Sequence, residues 1–423
     1  MRISHVRVTP IAFRDPPLLN AAGIHEPYAL RSIIEVETDC GRTGLGESFG
    51  DAAALNAFTA LAPHLLGHDP FDINGLATLC ARVVASLAPP DAGAELAPGS
   101  DPARRLANCI AAFEVPLLDL QAQYAGVPLY DLLGGAVRKA VPFSAYLFFK
   151  YAHHIDDDEL PDAWGEALTP GQIVAQAKRM IDLYGFGSIK LKAGTLPPDI
   201  EVAAIEELAR AFPGLPLRID PNGAWSMETA ITCAERLGPL IEYYEDPVDG
   251  LDAMAELHRR TGLPLATNMV VTCFDHLRRS VALDAVQIVL GDHHYWGGLK
   301  ASQTLGAMCQ TFGLGLSMHS NSHLGISLMA MSHLAAATPN LTYACDTHYP
   351  WVEEADEVVA AGKVPITGGA VHLGDTPGLG VTLDRDRLAR GHDTFNRIAI
   401  RTRDDLGQMR RYDPAFSAAK PRY

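Results

Sequence analysis

The sequence predicts an α/β protein built around a parallel barrel, and three observations carry that prediction. From about Val141 eight short apolar runs recur: VPFSAYLFF, SIKLKAG, LPLRIDP, IEYYEDP, LPLATNM, AVQIVLGD, LGLSMHS and LTYACDT. Between them lie amphipathic segments such as IEVAAIEELARAF, METAITCAERLGPL, LDAMAELHRRTG and GLKASQTLGAMCQTFG, with apolar residues near i, i+3, i+4 and i+7. Repeated strand and helix units in that number close into a barrel. The third observation is where the polar groups fall. Lys190 with Lys192, then Asp220, Glu245, Asn268, Asp292 and His319 sit at the ends of six successive runs, at intervals of 28, 25, 23, 24 and 27 residues counted from Lys192. One strand, a returning helix and two loops have about that length, so these groups converge on one rim.

Ahead of the barrel the texture differs. SIIEVETD and the turn CGRTG read as part of a hairpin. Residues 56–87 and 104–133 carry apolar residues at helical spacing, separated by the Pro/Gly/Ala-rich stretch 88–102, which reads as a mobile surface loop. After the first barrel run comes a long acidic loop whose His153, His154, Asp156, Asp157 and Asp158 imitate a metal cluster; a charge run of this kind is read as solvated. A chain of 423 residues, 48% apolar and 20% charged, buries a substantial core and divides into two domains.

A formal net charge of -16 and the lack of any long Lys/Arg run exclude a general nucleic-acid surface, which leaves small molecules as partners. Seven scattered cysteines without a C-x-x-C indicate neither a disulfide framework nor a zinc site, and point to a reducing cytoplasm. The opening MRISHVRVTPIAF has no uninterrupted apolar core before a cleavage site, and no apolar stretch approaches membrane-spanning length, so we expect neither secretion nor membrane insertion.

Catalytic groups of such barrels sit at the carboxyl ends of the strands, where these polar residues fall. Lys190 and Lys192 are two apart on an extended segment and share a face, while Ile189 and Leu191 turn towards the helices. Mutual repulsion, burial and a nearby cation would lower a lysine pKa and make a base usable near neutral pH. Asp220, Glu245 and Asn268 offer two carboxylates and an amide oxygen from consecutive strand ends, an all-oxygen set that suits Mg²⁺ better than zinc. Asp220 alone, in D-P-N-G, would be a turn former; its spacing from Glu245 and Asn268 gives it a ligand's place. Asp292 and His319 end adjacent runs, and a carboxylate on one imidazole nitrogen would fix the tautomer and make His319 a general base or acid. The nearby His293, His294 and His323 read as structural or supporting.

SIKLKAG, LRIDPNGAW, YYEDP, LATNM, GDHHYWGG and MHSNSHLGIS together resemble the enolase superfamily, and within it the glucarate dehydratase subgroup, over nearly the whole chain. The amide Asn268 in ATNM, where other branches carry a third carboxylate, is what points to the subgroup. The resemblance implies a (β/α)7β (modified TIM) barrel over residues 138–375, with an α+β capping domain from residues 1–137 completed by the C-terminal segment 376–423. It implies Mg²⁺ on Asp220, Glu245 and Asn268, Lys192 opposed to the His319/Asp292 dyad as acid/base groups, and Lys190 as electrophilic support. The implied reaction removes the proton α to a carboxylate of a small dicarboxylate acid sugar and expels the β-hydroxyl, giving a keto-deoxy diacid. The chain is then expected to work as a homo-oligomer.

The same resemblance assigns substrate contacts to Asn20 and His25 in the cap, to Tyr146, Lys190, Asn222, Ser320 and Asn321 in the barrel, and to Arg403, whose guanidinium would hold the distal carboxylate. One position departs. Where the family has a substrate-contacting threonine, this chain reads AAFE with Ala111, and a lost hydroxyl contact redirects preference among diastereomers. Two alternatives remain beside dehydration: an epimerase or racemase that uses the same groups without losing the hydroxyl, and a non-catalytic paralogue that binds an acid sugar.

Overall fold

The computed structural model describes residues 1–88, 102–155 and 162–423. The chain starts as an antiparallel sheet in which β1 (Ile3–Arg14) pairs with β2 (Tyr28–Thr38), and β2 with β3 (Thr43–Phe49). The hairpin expected at CGRTG is therefore made, with Glu37 opposite Thr43. The helical stretch expected over 56–87 divides. α1 (Ala52–Leu61) ends in a tight turn at Ala62–Leu65 that carries Pro63, Gly67 follows at φ +78°, and α2 (Ile73–Ser86) starts afresh with Asp72 accepting from Gly75 N. α3 (Pro102–Ala125) crosses β3 so closely that a Cβ on Gly44 would lie 2.1 Å from the Pro116 carbonyl oxygen, which only glycine avoids.

Seven parallel strands follow: β4 (Ala145–Phe148), β5 (Ile189–Lys192), β6 (Leu217–Asp220), β7 (Tyr243–Glu245), β8 (Leu265–Thr267), β9 (Ile288–Gly291) and β10 (Gly315–Met318), each hydrogen-bonded to the next in chain order. Their returning helices are α4 (Pro170–Tyr184), α5 (Pro198–Ala211), α6 (Met227–Leu237), α7 (Leu251–Thr261), α8 (Phe274–Leu283), α9 (Leu299–Phe312) and α10 (Gly325–Ala336). Ile189 and Leu191 are fully buried in the same apolar core as Ile173, Ala177 and Met180 of α4, as the alternation in IKLK requires.

The eighth run, LTYACDT, is not a regular strand. Thr342 N and Tyr343 N both donate to Leu316 O, so two residues meet one and the ladder loses its register. The segment still closes the barrel, because Asp346 N donates to Met318 O at 2.8 Å on one side and Cys345 N to Pro142 O at 2.8 Å on the other. It is the eighth β segment of a (β/α)7β barrel.

The end of the chain returns to the cap. α11 (Arg385–Arg397) lies on β1, and α12 (Asp405–Arg410) abuts the short hairpin Leu19–Asn20 and Gly23–Ile24. Residues 89–101, most of the expected Pro/Gly/Ala loop, and Asp156, Asp157 and Asp158 lie outside the described residues. His154 is buried with Nε2 donating to Asp15 O at 2.8 Å, which ties it to the cap. All seven cysteines are free, and among the described residues no helix is long and apolar enough to cross a membrane.

Candidate active site

The in-register pairs Phe148, Lys192 and Asp220 on β4, β5 and β6 align three strand ends, and the floor of the site is charged. Lys190 is fully buried, with Nζ 2.7 Å from Glu245 Oε1, 2.9 Å from Asp346 Oδ2 and 3.6 Å from Asp220 Oδ2, over the Tyr146 ring at 4.6 Å. Burial alone would depress its pKa, but the Asp346 and Glu245 carboxylates outweigh burial and hold it well above the usual lysine value. The expected lowering is thus reversed for Lys190. Its close partners are anions, and it is a fixed ammonium. Lys192 donates to Asp220 Oδ2 at 2.7 Å and to Asn222 Oδ1, and turns towards the cavity. A Cβ on Gly194, at φ +79°, would lie 2.0 Å from the Pro221 carbonyl oxygen, so the turn leaving β5 stays pressed against the turn after Asp220.

Asp346 was not singled out in the sequence, although it follows the eighth apolar run as the other polar groups follow theirs. It also accepts from Arg218 Nη1 at 3.2 Å, which makes it a bridge between two buried cations. Asp246 was missed as well. Its carboxylate accepts from Thr267 Oγ1 at 2.5 Å and Asn268 N at 3.0 Å, and so places Asn268.

The residues expected to hold Mg²⁺ end β6 and β7 and follow β8, and the test of fit is electrostatic. Oxygens of Asp220, Glu245 and Asp246 come within 4.8 Å of one another, all buried. Burial and the neighbouring Asp220 push Glu245 well above the carboxylate range and Asp246 up to about 7. Burial would raise Asp220 too, but Lys192 and Lys190 bring it down to about 2. Asn268 Oδ1 is buried without a hydrogen-bond partner among the described residues. Crowded carboxylates and an orphaned amide oxygen are what a hard divalent cation relieves, so the donor set fits Mg²⁺. Asn222 and Asp246, beside two of these donors, sit at φ +57° and +38°, a conformation that non-glycine residues adopt at a cost of about 1 kcal/mol or more.

On the other flank, the expected His319–Asp292 bond is not formed. Asp292 Oδ1 instead accepts from His294 N at 2.9 Å and His294 Nδ1 at 2.8 Å, because Asp292 caps the short helix His293–Trp296 and His294 folds back on it. Asp292 Oδ2 and His319 Nδ1 are both buried without partners among the described residues. Burial, then Lys190, lowers His319 to about 4, so its imidazole is neutral at neutral pH. Burial opposes ionisation of Asp292, yet the adjacent His294 draws it well below the usual range.

A cavity open to solvent lies above this floor. Lys192, Asn222, Asn268 and His319 line it from the barrel, with Tyr146 and Asn321; Asn20, His25 and Arg403 line it from the cap and C-terminal segment. Lys190, Asp220, Glu245 and Asp292 lie outside its lining, all buried. Ser320 is not brought to the cavity; its hydroxyl is 3.3 Å from His323 Nε2 and 3.5 Å from the Asp346 carbonyl oxygen. His25 Nδ1 donates to Asp15 Oδ2 at 3.0 Å and its ring stacks on His348, a further lining residue the sequence reading did not name. Asn20 Nδ2 donates to Asp405 Oδ2 at 2.7 Å. Arg403 presents Nε and Nη2 to the two oxygens of Asp405 at 2.7 and 2.6 Å, so that edge of its fork is occupied. Ala111 is buried in α3, outside the cavity lining.

Comparison with known proteins agrees with this geometry. The enolase C-terminal domain-like family matches residues 172–387, and the N-terminal domain of the mandelate racemase / muconate lactonizing enzyme family matches residues 5–134. The chain belongs to the enolase superfamily. A probable glucarate dehydratase of Streptomyces coelicolor is 48% identical over 98% of this chain and 97% of its own length. Muconate cycloisomerase 1 of Rhodococcus opacus, 28% identical over 84% of this chain and 89% of its own, shows that enolase superfamily relatives differ in the reaction they perform. Among solved structures, an enolase of Pseudomonas fluorescens Pf0-1 with bound magnesium, potassium and tartrate is 64% identical, with a TM-score of 0.98 over 100% of this chain and 99% of that one.

Proposed function

We propose that the chain is a Mg²⁺-dependent acid-sugar dehydratase that converts a hexarate such as D-glucarate into a keto-deoxy diacid. The observation that carries this reading is the meeting of Lys192, Asn268 and His319 on one cavity, with Lys192 bonded to Asp220, whose buried carboxylate crowds that of Glu245. The 48% identity to a probable glucarate dehydratase and the tartrate in the Pseudomonas fluorescens neighbour support a small dicarboxylate as substrate.

Asp220, Glu245 and Asn268 would hold Mg²⁺, which when bound offsets the negative charge that accumulates on the substrate carboxylate as its α-proton leaves. Lys190 keeps its proton, so it contributes a fixed positive charge beneath the carboxylate rather than base catalysis. His319 rests as neutral imidazole and takes the α-proton through a ring nitrogen. The electron pair of the broken C–H bond forms the new double bond and the C–O bond to the β-hydroxyl breaks. The imidazolium then returns its proton to that hydroxyl, which leaves as water. The resulting enol ketonises to the 2-keto acid, and His319 ends neutral.

Lys192 lines the same cavity as His319, and a second proton-transfer group there supports epimerisation at the α-carbon as the alternative outcome. Incubation of the Mg²⁺-loaded protein with a panel of hexarates, followed for 2-keto product and for solvent deuterium in recovered substrate, separates the two. Dehydration gives keto acid; label and inverted configuration without keto acid mean epimerisation. Silence across the panel would refute both readings.

A further inference from the structure

We propose that His294 is a positioning residue for the His319 side of the cavity, tying the Asp292 carboxylate to the capping domain. This deepens the functional reading above, and its kinetic test rests on that reading.

His294 holds one oxygen of Asp292 twice over, with its backbone N–H at 2.9 Å and its ring Nδ1 at 2.8 Å. That oxygen is held twice, and among the described residues the other has no partner, nor has His319 Nδ1 at the end of the neighbouring strand. The two unpaired atoms are complementary: a carboxylate oxygen and an imidazole nitrogen able to carry a proton. His294 anchors Asp292 so that only one oxygen is available to His319. A carboxylate offered in that way selects the tautomer in which Nδ1 carries the proton and Nε2 keeps the lone pair for the substrate.

The other end of the His294 ring is held by the cap. Its Nε2 lies 3.1 Å from Glu47 O, 3.3 Å from Arg31 Nη2 and 3.4 Å from Ser327 Oγ. Arg31 on β2 and Glu47 on β3 form a buried ion pair at 2.9 Å, Nε to Oε1. The same Glu47 carboxylate accepts from Leu324 N at 2.8 Å and Ser327 N at 2.9 Å, where the loop after His319 enters α10. One cap ion pair therefore braces both partners of the dyad, Asp292 through His294 and the His319 loop directly. His294 does not itself line the cavity, so its influence passes through Asp292.

Two polar variants distinguish the contacts. In His294→Asn the amide N–H replaces the ring Nδ1 donor to Asp292; in His294→Gln the longer chain carries the amide towards the cap and away from Asp292. Imidazole ¹⁵N shifts of His319 in the Mg²⁺-loaded, substrate-free protein should show one Nδ1-protonated tautomer in the wild type and His294→Asn, and a mixture in His294→Gln. With two hexarates that differ only in configuration at the α-carbon, His294→Gln should slow deuterium exchange on the His319 side by about 10- to 100-fold and leave exchange on the Lys192 side within about threefold. An unchanged tautomer in His294→Gln, or equal losses on both sides, would overturn the proposal, since equal losses are what a merely structural role produces. If His294→Asn does not fold, His294→Gln against the wild type carries the same two readouts; if His294→Gln does not fold, His294→Ala, which removes the Nδ1 donor to Asp292, takes its place. A wild type that exchanges neither hexarate counts against the acid-sugar reading, and the ¹⁵N shifts then still decide the role of His294.

Discussion

Lys192 and His319 line one cavity, yet their surroundings are built in opposite ways. Lys192 is bonded to Asp220 and Asn222, and below it Lys190 and Arg218 are clamped by Glu245 and Asp346, so this flank is a lattice of opposed charges. Among the described residues His319 makes no hydrogen bond through Nδ1; it rests neutral and stands beside a carboxylate held by another residue. The lysine flank is thus fixed by charge and the histidine flank by scaffolding. Removing a charge should collapse the first, whereas the second should fail through misorientation.

The largest effect should come from the charged floor. Glu245→Gln removes one proposed Mg²⁺ donor and one Lys190 partner, and turnover on the preferred hexarate should fall at least about a thousandfold, with Mg²⁺ affinity measured by calorimetry falling in parallel. A variant that kept both would break the account of the lysine flank. Next come the two proposed proton-transfer groups: Lys192→Ala and His319→Ala should each cost at least about a hundredfold in turnover of the hexarate whose α-proton faces that group, and each should abolish α-deuterium exchange for a different α-configuration. Loss of both configurations in either variant would erase the distinction between flanks.

The two flanks should also differ in pH dependence. His319 must be neutral to accept a proton, and burial next to Lys190 lowers it to about 4. The kcat/KM for the His319-dependent direction should stay level from neutral pH down to about 5 and drop only as pH falls through about 4, where the imidazole becomes charged. An acid limb near the unperturbed value of about 6.5 would mean that the ring is solvated in the working enzyme. The smallest effect belongs to the cap: Asn20→Ala deletes one polar contact to the cavity, and KM should rise by up to about tenfold with kcat nearly unchanged.

Much of this site was legible in the sequence because a barrel delivers one polar residue per strand end at nearly constant spacing, and Lys190 through His319 follow that rhythm. Asp346 obeys it too and was missed, because its run, LTYACDT, bonds irregularly and has no helix after it to mark a repeat. Asp246 was hidden beside Glu245, where two adjacent carboxylates in YYEDP gave no reason to assign the second to Asn268. Contacts between distant segments were not legible at all. Arg403 meets Asp405 locally, but its place in the cavity depends on the C-terminal segment folding back over the cap, and the Arg31–Glu47 brace joins two cap strands to the loop after His319. The sign of the Lys190 shift was misjudged for a related reason: its neighbour along the chain is a cation, while its neighbours in space are carboxylates.

In the proposed reaction three oxygen donors and two proton-transfer groups form one site acting on the carbon next to a carboxylate. Proton NMR of a hexarate in D₂O with the Mg²⁺-loaded wild type, repeated after chelation, decides whether they do. The α-proton signal should wash out as 2-keto acid appears, both stopped by chelation and restored by Mg²⁺; washout that persists without the metal, or an α-proton retained on every hexarate tried, would rule the reaction out.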